Sequence, residues 1–214
     1  MESVVLVRHG FALSNRDGVA SCAVPGGGLM PEGIAQAREL AAALAGEPFS
    51  LGISSELART RETLALLLEG RDVPTITLGE LNEIDFGSFA EGPLDDYRAW
   101  AAAHPPDLRA PGGGDSRASA AARFARGLRA VLARPEERAL LAWHALALRY
   151  VLDAAAGLVP AALITPVPHA VPHELERRDV ERAATLLEEW SRSPRFRDPP
   201  FEARAAGSDV RPPQ

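Results

Sequence analysis

Two short apolar runs that stop abruptly on reactive side chains constrain this chain more than any other feature. Val4-Val5-Leu6-Val7 is β-branched and aliphatic, reads as a buried strand, and ends at Arg8-His9-Gly10. Ala139-Leu140-Leu141-Ala142-Trp143 repeats the pattern and ends at His144. In an α/β sheet the ligand crevice lies outside the carboxyl ends of the strands. Both runs would therefore deliver histidine to the same place.

Between these runs, strand-like and helix-like stretches alternate. Leu51–Ser55 and Pro74–Leu78 read as further strands. Helical spacing runs through Ile34, Ala37, Leu40 and Leu44 after Pro31, and from about Glu56 to Leu68 with a glycine stop at Gly70. A long alanine-rich helix follows Asp115 or Ser116, either of which can cap it. Another helix leaves His144 and stops at Gly157, and a terminal helix spans about Glu176 to Trp190. This alternation argues for an α/β sandwich in one domain over residues 1–192. Glycine, proline and aromatic residues punctuate positions 79–116, which read as a cover over the site, with a short helix beginning at Pro93. Residues 160–172 hold too many prolines for a helix. The tail over 193–214 is rich in Pro, Arg and Asp and is expected to be poorly ordered.

Composition narrows the function classes. The net charge of −6 comes with no basic run, which argues against a nucleic-acid binder. No apolar stretch approaches the ~20 residues of a membrane span, and no cleavable leader precedes Val4. A single cysteine, Cys22, permits no intrachain disulfide and suits a reducing cytoplasm; it lacks a basic neighbour that would activate it. The oligomeric state stays open, a homodimer included.

The strand ends suggest a chemistry. Arg59 falls one turn into the helix after Ser54-Ser55, near the positive end of that helix. Arg8, Arg59 and the helix terminus would form a pocket for a dianionic phosphoryl group. A neutral imidazole there, His9, can attack phosphorus and form a phosphohistidine. Nearby guanidinium groups favour the neutral form. The leaving alkoxide then needs a proton, for which Glu83 in Leu81-Asn82-Glu83-Ile84-Asp85-Phe86-Gly87 is the candidate.

Taken together these motifs resemble the histidine phosphatase superfamily, the phosphoglycerate-mutase-like proteins. Arg8-His9-Gly10 resembles its signature, and Leu29–Ala37 (LMPEGIAQA) its Leu-Thr-x-x-Gly-x-x-Gln-Ala helix start. Ser54–Thr60 is similar to its second arginine motif, and Leu81-x-Glu83 followed by Gly87 to its acid motif. Pro111-Gly112-Gly113 with Ser116 resembles Pro-Gly-Gly-Glu-Ser, and His144 with Arg149 the second-histidine motif. The resemblance covers about residues 3 to 157. It implies a three-layer αβα sandwich around a mostly parallel sheet. It also implies nucleophile His9, proton donor Glu83, and Arg8, Arg59, His144 and Asn15 as phosphate ligands, with no metal or other cofactor. The expected activity is hydrolysis of a small phosphorylated metabolite. The alternatives are a phosphoglycerate-type phosphomutase and a low-turnover phosphate-binding member of the fold.

Departures from the pattern are specific. Phe11 and Ala12 follow the signature in place of Glu and Thr or Ser, which removes a hydroxyl near the phosphate. Ser14 stands where mutases carry tryptophan, which weighs against a mutase. Ala90-Glu91-Gly92 replaces Glu-Gly, and Ala145 replaces the glycine after the second histidine. His169 and His173 sit at helical spacing, but Pro172 between them breaks a helix and excludes a zinc reading; they line the pocket mouth or face solvent. His104 reads as a surface turn residue. Phe86, Phe89, Tyr97 and Trp100 suit either an apolar leaving group or packing of the cover onto the core.

Overall fold

A computed structural model describes residues 1–197 of the chain. Five strands form one sheet: β1 (Ser3–Arg8), β2 (Leu51–Ser54), β3 (Thr75–Thr77), β4 (Arg138–Trp143) and β5 (Pro172–Glu176), in the order β3-β2-β4-β1-β5. The first four are parallel and β5 runs antiparallel along β1. Helices α1 (Leu13–Asp17), α2 (Pro31–Ala43), α3 (Ala58–Leu67), α4 (Leu94–Ala103), α5 (Arg117–Leu132), α6 (Ala145–Ala155) and α7 (Arg177–Arg192) complete it.

Side-chain alternation along the strands builds two cores. Val4 and Leu6 of β1 join Ala139, Leu141 and Trp143 of β4 on one face, beneath Phe124 and Leu128 of α5, Tyr150 and Val151 of α6 and Leu187 of α7. Val5 and Val7 point the other way with Leu140 and Ala142, against Leu40 of α2 and Leu64, Leu67 and Leu68 around α3. Burial on both faces explains why these strands read as continuous apolar runs rather than alternating ones. The expected three-layer αβα sandwich is the observed architecture. Gly52 lets α3 lie close to the sheet, since a Cβ there would sit 2.6 Å from Leu68 Cδ1.

Two elements were not legible. β5 carries only one aliphatic residue, Leu175, in an alternately exposed pattern. It is an edge strand opened by proline, the sheet position that tolerates a missing N–H. α1 is five residues long, too short for periodicity to register. Ser116 rather than Asp115 caps α5, its Oγ accepting from Ser119 N at 2.9 Å. Of the tail, residues 198–214 lie outside the described residues, while Arg197 donates to Pro160 O at 3.0 Å and to Asp153 Oδ2 at 2.8 Å.

Candidate active site

Sheet register puts the two histidines side by side. Arg8 pairs with Trp143 across β1 and β4, and the next backbone N–H, that of His9, donates to Trp143 O at 3.0 Å. The rings of His9 and His144 lie 5.5 Å apart, both buried. Gly10 is required by close approach: a Cβ there would fall 2.5 Å from Gly33 O, and one on Gly33 would fall 2.1 Å from Phe11 O. The glycine of the signature and the glycine of α2 thus rest backbone to backbone. Gln36 of the same helix accepts from Phe11 N at 2.9 Å, and Thr63 of α3 from Gly10 N at 3.0 Å.

These contacts fix the His9 ring. Its Nδ1 lies 2.8 Å from Gly10 O, which can only accept, so Nδ1 carries the proton and Nε2 a lone pair. Arg59, second residue of α3, donates from Nε to that Nε2 at 3.2 Å and from Nη2 to Ser21 O at 3.1 Å. Arg8 donates from Nη1 to Val167 O at 2.6 Å. Ser55, just past β2, holds His144 Nε2 at 2.9 Å and Thr60 Oγ1 at 2.7 Å. What remains is informative. Arg8 Nε, Arg59 Nη1 and His144 Nδ1 are buried, and none has a hydrogen-bond partner among the described residues. Buried polar atoms are seldom left unsatisfied, so three around one histidine describe a receptor for an acceptor-rich group.

The charges agree with the geometry. Burial, then Arg59 and Arg8, hold His9 well below the ordinary histidine value of 6.5. Burial, Arg59 and His9 do the same for His144. Both rings are therefore neutral at physiological pH. Burial lowers Arg8 to about 10, which leaves it charged there. Glu83 lies opposite, Oε2 3.8 Å from His144 Nδ1. Burial pushes its carboxyl up, against the pull of Arg59 and Arg8.

Glu83 is held through its backbone. Arg123 of α5 donates to the carbonyls of Glu80 (3.1 Å), Asn82 (2.6 Å) and Glu83 (3.0 Å), and to Asp115 Oδ2 at 2.8 Å. Burial works against an ionised Asp115, yet the bonds from Arg123, the Asp85 backbone and Ser119 together outweigh it and keep this carboxyl below its usual range. Asn15, on α1, accepts from Ala12 N at 3.0 Å and lines one cavity of about 60 Å³ with Arg8, His9, Ser21, Arg59 and Glu83. All the candidate site residues named from the sequence except His144 line this space, and His144 stands behind it, against Glu83 and the His9 ring.

The sequence did not single out Ser55, Arg98, Arg123 or the contact made by His169. The His169 ring sits 5.5 Å from that of His9 and 5.6 Å from that of Phe11, with Nδ1 2.7 Å from His9 O. It is partly buried against these residues rather than facing solvent, and burial lowers it to about 4. Cys22 is half-buried, and burial raises its thiol, the opposite of activation.

A model of the histidine phosphatase superfamily (branch 1) matches residues 4–193. The chain belongs to that superfamily. Among histidine phosphatases, it is 46% identical over 103 residues to an adenosylcobalamin/alpha-ribazole phosphatase of Salmonella typhimurium, covering 44% of this chain and 50% of that protein. It spans about half the length of that curated relative. A 2-carboxy-D-arabinitol-1-phosphatase of Triticum aestivum is 37% identical over 86 residues, which cover 40% of this chain and 17% of the wheat protein. The crystal structure of the alpha-ribazole phosphatase from Shigella flexneri superposes with a TM-score of 0.69 at 26% identity, over 80% of this chain and 89% of that one.

Proposed function

We propose that the chain is a phosphomonoesterase that works through a phosphohistidine on a small phosphorylated metabolite. The observation that carries this reading is the convergence of three unpartnered buried groups, on Arg8, Arg59 and His144, around the lone pair of His9 Nε2. Two guanidinium groups and an imidazole N–H suit the oxygens of a phosphoryl dianion. If Ser55 donates to His144 Nε2, the proton of that ring stands on Nδ1 and faces the pocket. Asn15, on the same wall, would add an amide donor.

In the first step His9 Nε2 bonds to phosphorus while the bond from phosphorus to the ester oxygen breaks. Glu83 gives its proton to that oxygen, and the alcohol leaves. Burial of Glu83 serves this step, because it keeps more of the carboxyl protonated. In the second step a water attacks phosphorus from the side the alcohol left. Glu83 takes its proton, the phosphorus–nitrogen bond breaks, and inorganic phosphate departs from neutral His9. Apart from that water and the substrate, the proposed steps use only His9, Glu83 and the groups that hold the phosphoryl oxygens.

The test is hydrolysis of 4-nitrophenyl phosphate by the wild type and by His9→Ala. Turnover should fall by more than roughly 10³-fold in the variant, with the fold intact by circular dichroism. A phosphate adduct, stable to base and labile to acid, should be trapped in the wild type alone. Unchanged turnover in His9→Ala, or strong loss of wild-type turnover on adding EDTA, would overturn the mechanism. A mutase would instead interconvert phosphoglycerates in the presence of a bisphosphate primer, and Ser14 weighs against it.

A further inference from the structure

Arg117 is a buried cation that makes no ion pair among the described residues, with Glu83 the acid whose charge reaches it. It is the first residue of α5, 7% exposed, and no carboxylate lies within ion-pair distance of it among the described residues. Its Nη1 donates to Tyr150 Oη at 3.3 Å, its guanidinium carbon lies 5.5 Å from the centre of the Tyr97 ring, and the Tyr97 hydroxyl is within reach of it. Nε is buried without a partner. A cation in such a place is costly unless something offsets it. The Tyr150 bond occupies one nitrogen and the Tyr97 contact one face. The edge carrying Nε and Nη2 is left over.

Arg117 lines a cavity of about 70 Å³ whose other walls include Tyr97, Leu146 and Ile164. This cavity shares Glu83, Phe86, Leu94, Arg98 and Ala145 with the space around His9. It opens beside Glu83, which in the reading proposed above protonates the leaving oxygen. The alcohol part of the substrate is therefore directed into it.

We infer that Arg117 and this cavity form a leaving-group subsite for phosphomonoesters whose alcohol portion carries a carboxylate. The inference rests on the phosphatase reading of the site. Two donors on one guanidinium edge match the two oxygens of a carboxylate, side by side in one plane. The cavity has room for a small group, with apolar walls for one or two carbons between carboxylate and ester oxygen. Among the described residues Arg98, on the shared rim, pairs only with Asp95, at 2.9 Å and well exposed, and keeps the entrance positive.

The test is the ratio of kcat/KM for phosphoglycolate to kcat/KM for ethyl phosphate, a neutral substrate of similar size. In the wild type the ratio should be roughly 30, as a charge-assisted bond to a buried guanidinium predicts. Arg117→Met should bring it close to one, and Arg117→Lys should restore part of it. A wild-type ratio near one overturns the subsite, as does a ratio that survives in Arg117→Met. Should Arg117→Met fail to fold, the wild-type ratio and the lysine variant still decide. A bisphosphate of propanediol preferred over phosphoglycolate would overturn the carboxylate assignment. If 4-nitrophenyl phosphate is hydrolysed through His9 while the wild-type ratio is near one, only the subsite fails. If no phosphohistidine forms at all, the phosphatase reading fails with it.

Discussion

The two walls of the pocket are built differently. On one side, His9, His144 and Ser55 sit at the ends of adjacent parallel strands, and Arg59 follows within one turn of helix. Ladder hydrogen bonds and two cores fix their positions. On the other side, Glu83 and Phe86 lie on irregular backbone between two single helical turns, Gly79–Leu81 and Gly87–Phe89, and Leu94 and Arg98 on the ten-residue helix α4. There the rings of Phe86, Phe89, Tyr97 and Trp100 pack in pairs 4.7 to 6.1 Å apart. In the proposed reaction the first wall handles a group common to every phosphomonoester, and the second meets the part that differs between substrates. A rigid sheet suits the former, and turns and a short helix laid over that core can vary more readily than the strands beneath them.

This contrast can be broken in graded ways. The largest effect belongs to the sheet side. Arg59→Ala removes a buried donor from the proposed phosphoryl receptor, and kcat/KM should fall roughly 10² to 10³-fold for every phosphomonoester alike. A loss confined to some substrates would place Arg59 with the cover instead. Next comes the cover itself. Gly87 has a φ of +57° and a Cβ there would fall 2.1 Å from Pro111 O, so Gly87→Ala forces the Gly87–Phe89 turn off the Pro111–Gly113 turn. Thermal or urea melting should show a loss of about 2 kcal/mol. Steady-state kinetics should show substrate ratios changing more than the phosphate Ki; an unchanged melting curve would count against the packing described.

The smallest effect tests the link between the walls. Arg123→Ala frees the carbonyls of residues 80–83 and should lower kcat roughly tenfold while KM changes little. The sign of the pH effect follows from charge. Burial raises the Glu83 carboxyl, whereas Arg59, Arg8 and Arg123 pull it down, so removing Arg123 raises it further. The proton donor then survives to higher pH, and the alkaline fall of kcat/KM should move upward. A downward shift in the pH–rate profile would exclude Glu83 as the acid.

Legibility followed the same division. His9 and His144 could be read because buried parallel strands are continuously apolar, and their ends stand out against that background. Arg59 followed from its distance to the strand before it. Glu83 was found within a short motif, but what positions it was not, because Arg123 acts on backbone carbonyls about forty residues upstream. Arg117 looked like any helix arginine; only the packing of Tyr97, Tyr150 and Leu146 around it reveals a buried charge. β5 was invisible because its strand character comes from pairing with β1, not from its own residues.

The pairing of β1 with β4 has a consequence for how the protein acquires activity. β1 is made first, yet its partners on either side come from residues 138–143 and 172–176. Until those segments arrive, an apolar strand has two open edges and the site lacks His144. Closing a loop of that length is slow compared with local helix formation. Turnover should therefore switch on late and all at once during refolding, and a nascent chain has to keep β1 from pairing wrongly until then.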